Sequence, residues 1–128
     1  MEKELILCDT NIFIHWFNGD PLTIETLKLI GLANILIPSI TIMELMQGAQ
    51  NKQELAQLKK KIKNYNIIHF DQTASALAIQ LVEKFKLSHN LLIPDAIIAS
   101  TALVYDLTLY TYNLKDFMFI PGIKLFKS

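Results

Sequence analysis

Leu5-Ile6-Leu7-Cys8-Asp9-Thr10-Asn11 is the stretch on which the fold turns. Its apolar run is too short for a helix and does not alternate, which describes a strand buried on both faces. Such strands belong to parallel sheets covered by helices. Asp9 then stands at the carboxyl end of the strand, where open α/β sheets bind their ligands. Cys8, the only cysteine, cannot form an internal disulfide and reads as a small core residue.

Outward from this strand, residues 11–18 have helical spacing and stop at the turn Asn18-Gly19-Asp20-Pro21. Residues 23–30 make a second helix ended by Gly31, and Ile35-Leu36-Ile37 a second buried strand closed by Pro38. Ser39 reads as the N-cap of a helix that carries Met43, Glu44 and Met46 and ends near Gly48. Residues 51–63 form an amphipathic helix with Leu55, Leu58 and Ile62 on one side. Residues 65–70 are a third strand, 73–85 a helix, 94–105 an almost wholly apolar helix, 107–111 a fourth strand and 123–126 a possible fifth. The expected fold is a three-layer α/β/α sandwich around a mainly parallel sheet of four to five strands, in a single domain over residues 1–128.

Composition narrows the classes. With 52% hydrophobic and 19% charged residues the chain is not disordered, and some apolar surface is expected to be shared with a partner. No apolar run is long enough to span a membrane, since Pro94 and Asp95 interrupt the longest. The charged N-terminus leads straight into a strand and does not resemble a secretory signal, so a cytoplasmic protein is expected. All twelve basic residues are lysines, which offer phosphate point charges and no bidentate fork.

Four acids lie where strands end or helices begin: Asp9 after the first strand, Glu44 on the helix after the second, Asp95 at the start of the apolar helix, Asp116 beyond the fourth strand. Each has a structural reading on its own, Asp9 as a cap, Asp95 as a first-turn carboxylate, Asp116 as part of a turn. Glu44, flanked by Met43 and Leu45, is harder to explain that way. Together they could converge on one edge of the sheet. Clustered carboxylates repel unless a hard cation such as Mg²⁺ or Mn²⁺ neutralises them, and such metals serve phosphodiester hydrolysis.

The ordered motifs Asp9-Thr10-Asn11, Glu44-Leu45 with Gly48 behind it, Asp95 followed by Ile98-Ala99 and Ala102, and Thr111-x-Asn113-x-x-Asp116-Phe117 resemble those of PIN domains. The resemblance spans nearly the whole chain and is nearest to the short VapC toxins of toxin–antitoxin pairs. It implies a homodimeric, Mg²⁺- or Mn²⁺-dependent endoribonuclease acting on RNA, inhibited by an antitoxin that docks a segment into an apolar groove near the site. By motif position Asp9, Glu44, Asp95 and Asp116 are the metal site. Thr111 and Asn113 are expected to orient a carboxylate or a bound water, and Asn11 to shape the turn holding Asp9. Relatives often carry basic residues near the second and fourth motifs; here only Lys115 is at hand.

Other features read as structural. His15 is expected to be packed or at an interface, Trp16 and Phe17 to lie in the core or a dimer contact, and Met43 and Met46 to fill the core. Lys59-Lys60-Lys61 reads as a solvated helix face. Two rival aspartate enzymes fit poorly. A haloacid-dehalogenase-like phosphatase wants a second Asp where Asn11 stands, and a receiver domain an acidic pair that precedes its phosphorylated Asp. A nuclease of RNA maturation and a non-catalytic PIN-like module remain as alternatives.

Overall fold

The computed structural model describes residues 4–127. Met1, Glu2, Lys3 and Ser128, and with them the expectation about the charged N-terminus, lie outside the described residues. The strands are β1 (Ile6–Cys8), β2 (Ile35–Pro38), β3 (Asn66–Ile68), β4 (Thr108–Tyr110) and β5 (Lys124–Leu125). Six α-helices lie among the described residues: α1 (Thr10–Phe17), α2 (Pro21–Ile30), α3 (Ser39–Gln47), α4 (Lys52–Ile62), α5 (Gln72–His89) and α6 (Ile93–Val104).

All five strands are parallel, in the order β3-β2-β1-β4-β5. The chain builds outward from β1 through β2 to β3, then returns to lay β4 against the other side of β1. Ile6 is therefore paired with Ile35 on one side and Thr108 on the other. The reversal of strand order between β1 and β4 opens a crevice at their carboxyl ends.

Alternation along β1 makes the three layers. Ile6 and Cys8 join Ile12, Phe13, Leu27, Ile35, Ile37, Leu58 and Tyr110 in a core under α1, α2 and α4. Leu7 points the other way and joins Leu109, Phe117 and the inner sides of α5 and α6. Burying each such Leu, Ile or Phe side chain contributes about 1.5–3 kcal/mol. α3 touches both layers, with Ile40 packed in one cluster and Ile42 and Leu45 in the other. It thus crosses the end of the sheet beside the crevice.

Several local expectations need correction. Ser39 does not cap α3; Pro38, whose ring fixes φ at −64°, is the cap, and Ser39 is the first helical residue. α5 runs to His89 rather than ending near residue 85, closed by Asn90 in the left-handed region at φ 53°. Its last turn holds the fully solvated Leu87 and no buried side chain, so apolar periodicity stops a turn before the helix does. The third strand, expected over 65–70, is shorter, Asn66–Ile68, and lies at the sheet edge with Asn66 and Ile67 exposed. Met43 and Met46 do not fill the core, being 48% and 36% exposed. No helix among the described residues is long and apolar enough to cross a membrane.

Candidate active site

Asp9 ends β1 and caps α1 in extended conformation, φ −69° and ψ 162°. Its Oδ1 accepts the Thr10 N–H at 2.7 Å, and its Oδ2 accepts the Thr111 hydroxyl at 2.9 Å. The second contact exists because β4 lies beside β1: the Asp9 N–H donates to the Tyr110 carbonyl at 2.9 Å, bringing Thr111, the residue after β4, alongside the carboxylate. Asp9 is buried, and desolvation raises its pKa. The two hydrogen bonds oppose that shift, while the charges of Glu44 and Asp116 add to it.

Thr111 is a hub. Besides donating to Asp9, its Oγ1 accepts the Asn113 N–H at 3.0 Å and, at 3.4 Å, the Asn11 side-chain N–H. Asn11 also faces the Tyr112 N–H through Oδ1 at 3.4 Å. Asn11 therefore spans the first and fourth motifs instead of shaping the Asp9 turn alone. Asn113 acts on Thr111 through its backbone, and its side chain is exposed.

Glu44 is half-buried on α3. The Thr10 hydroxyl lies 2.8 Å from Glu44 Oε1 and 2.9 Å from the Thr41 hydroxyl. With a single proton, Thr10 donates to the carboxylate, the stronger acceptor, and Thr41 then donates to Thr10. Thr10 thus ties two acids together, Asp9 through its N–H and Glu44 through its hydroxyl. Thr10 stands in the first motif but has no role assigned there, and the fully buried Thr41 is not singled out by sequence. Thr41 stands one helical turn before Glu44, but its partner is 31 residues away, and nothing local signals that contact.

Asp95, half-buried in the first turn of α6, has its pKa pushed up to about 7, first by burial and then by the charges of Asp9, Asp116 and Glu44. Asp116 is exposed on a 3₁₀ turn, Leu114–Asp116. The charges of Glu44 and Asp116 therefore bear on both Asp9 and Asp95 at the crevice. Among the described residues, the ion pair present, Lys124 to Asp106, lies elsewhere and no lysine neutralises them. As they stand, no three His, Cys, Asp or Glu side chains among the described residues form a group compact enough to hold an ion. An all-oxygen, uncompensated donor set still fits a hard divalent cation and no softer metal.

The remaining residues sort simply. Cys8 is fully buried, and burial raises its thiol pKa far above the reactive range. His15 is exposed, with its ring edge-to-face against Tyr112 at 4.8 Å, rather than packed in the core. Trp16 and Phe17 pack half-buried on the α1 side of the core. Lys59, Lys60 and Lys61 are exposed as expected.

A covered parallel sheet with carboxylates at its topological switch point defines an α/β protein that works at the carboxyl ends of β1 and β4. Residues 6–117 match the family model for the PIN domain. The curated tRNA(fMet)-specific endonuclease VapC of Salmonella typhimurium is 28% identical over 124 residues, covering 93% of this chain and 94% of that protein. A toxin–antitoxin complex from Klebsiella pneumoniae contains a chain 34% identical, with TM-score 0.77 and 92% and 94% of the two chains covered. The DNA-bound VapBC of Salmonella typhimurium aligns with TM-score 0.83 at 26% identity, over 96% and 97% of the chains. The chain belongs to the PIN domain family, and membership implies a divalent-metal cofactor.

Two predictions arise from this geometry. A carboxyl pKa raised in the folded state costs no stability below the ordinary carboxylate range. The cost builds as pH climbs from about 4 to about 7 and is complete by about pH 8. In EDTA at about pH 8, Asp95→Asn is therefore expected to melt about 3 °C above the wild type, equivalent to about 1 kcal/mol after solvent screening. The gap should close as pH falls toward about 4; calorimetry that finds the variant less stable at every pH would contradict this. Thr10→Val, which removes the Glu44 donor, is expected to weaken Mn²⁺ binding about 10–100-fold by titration calorimetry, and Thr10→Ser to restore it.

Proposed function

We propose that this chain is a divalent-metal-dependent endoribonuclease that hydrolyses RNA phosphodiester bonds and serves as the toxin of a VapBC-type pair. The observation that carries the reading is the buried Asp9 and half-buried Asp95 at the β1/β4 crevice of a PIN domain, both raised by burial and then by the neighbouring carboxylates, Glu44 and Asp116 among them. On this reading residues 1–128 work as a single PIN domain. Asp9, Glu44, Asp95 and Asp116 hold the metal, Mg²⁺ or Mn²⁺. When bound, that cation supplies activation of water and neutralises charge at the scissile phosphate.

The chain's own residues do the positioning. Thr111 fixes Asp9, Thr10 fixes Glu44, and Asn11 holds the two loops in register. Lys115, beside Asp116, is the cation available to the substrate backbone, a point charge rather than a fork. The named activity of the Salmonella relative makes initiator tRNA the first substrate to try.

Two surfaces support the partner assignments. A concavity of about 420 Å³ between α1, α3 and α4 is lined by Ile14, Phe17, Leu45 and Leu58, with Glu44, Glu54 and Lys61 among its polar residues. An antitoxin segment filling it would cover Glu44, which unites apolar docking with inhibition. A separate hollow of about 340 Å³ between α5 and α6 is lined by the exposed Ile79 and Ile93 together with Val82 and Ile97. That face suits the second copy of a homodimer.

The purified chain with Mn²⁺ is expected to cut initiator tRNA, and EDTA to stop it. Asp9→Asn, Glu44→Gln and Asp95→Asn should each lower the rate at least ~100-fold while circular dichroism stays unchanged. Cleavage that persists in EDTA, or survives these substitutions, would sink the reading. Light scattering is expected to give twice the mass of one chain, and Ile93→Asp to give the monomer; a wild-type monomer would remove the homodimer.

A further inference from the structure

Tyr112 stands between Thr111 and Asn113 at the mouth of the crevice, and none of the roles derived so far uses its ring. The ring is 37% exposed, yet it is held in place. The Thr23 hydroxyl donates to Asp20 Oδ2 at 2.6 Å, so it accepts the proton of the Tyr112 hydroxyl. The Tyr112 oxygen is then free to accept from the Tyr110 hydroxyl, 3.0 Å away. This one-way chain, Tyr110 to Tyr112 to Thr23 to Asp20, pins the tip of the ring to the start of α2. His15 abuts it edge-to-face at 4.8 Å, and Tyr110 likewise at 5.6 Å.

Beside it a hollow of about 420 Å³ is lined by Tyr112, Asn113, Leu114, Lys115 and Asp116. It offers an aromatic ring, an amide and an ammonium group around one cavity that ends at a metal-site acid. Those are the groups that receive an unpaired nucleotide: a ring for the base face, an amide for the base edge, a cation for the phosphate.

We propose that Tyr112 is a stacking platform for an unpaired nucleobase of the substrate RNA next to the scissile phosphate, with Lys115 on the adjoining phosphate. The inference rests on the ribonuclease reading above and adds to it the subsite that takes a base. A ring fixed before the substrate arrives loses little freedom on stacking, which favours binding. Stacking tolerates any base, so this subsite selects for unpaired nucleotides rather than for a sequence.

A platform needs the ring, whereas a loop anchor needs the hydroxyl, and substitution separates the two. Wild type, Tyr112→Phe, Tyr112→Leu and Tyr112→Gln are compared for melting temperature, for kcat and KM on initiator tRNA in Mn²⁺, and for quenching of a 2-aminopurine-containing single-stranded oligoribonucleotide. The expected result is that Tyr112→Leu and Tyr112→Gln raise KM about 10-fold or more with kcat much less changed, and lose the quenching. Tyr112→Phe keeps the ring and the quenching, and losing only the hydroxyl tether it raises KM far less than the ring-less variants. The glutamine variant retains a polar group toward Thr23 and carries the test if the leucine variant folds poorly. Unchanged KM in the ring-less variants, or equal losses through kcat in all three, would overturn the platform while leaving the nuclease standing. A wild type that cuts no RNA would instead overturn the ribonuclease reading, and the subsite with it.

Discussion

The Thr111 hydroxyl reaches the buried carboxylate of Asp9 across 2.9 Å, and the rest of the site is arranged around that contact. It exists because β4 returns to pair with β1, so that residues 102 positions apart in sequence become neighbours at the carboxyl ends of adjacent strands. From Thr111 the order spreads outward to Asn113 through its N–H and to Asn11 through its side chain. From Asp9 it spreads through Thr10 to Glu44 and Thr41 on α3. Three segments distant in sequence are thereby held by hydroxyls and amides, before any acid meets a ligand.

This framework is polar but neutral, and that matters for the energetics. Hydrogen bonds reach Asp9 and Glu44 without cancelling their charge, and no lysine among the described residues pairs with any of the four acids. The folded chain therefore keeps buried and half-buried, uncompensated carboxylates at its crevice, and burial first, then their neighbours' charges, displaces Asp9 and Asp95 upward. The large apolar cores on both sides of the sheet offset that cost. Function and stability pull in opposite directions at these positions, as is common for preorganised sites.

The central strands were legible because their apolar runs are short, unbroken and ended by Asp9, Pro38 and Thr111. The acids were legible because each sits at the end of a strand or near the start of a helix. Contacts that join elements were not. Thr10 and Thr41 look like ordinary helix residues until the fold sets them side by side. Met43 and Met46 read as core by type alone, but the exposed side of a short helix at the end of the sheet does not bury them. The final turn of α5 carries no apolar stripe, and its left-handed stop at Asn90 is a backbone event that periodicity does not register.

The open edge of the sheet gives the lysine run a further meaning. β3 presents an unpaired row of backbone groups with Ile67 exposed, a surface on which a strand from another molecule could add. Lys59, Lys60, Lys61 and Lys63 lie immediately before that strand, all exposed. Two such edges brought together would juxtapose two clusters of like charge. Like charge next to an open strand edge disfavours the pairing of two such edges, so the solvated lysine face also bears on what can add to β3.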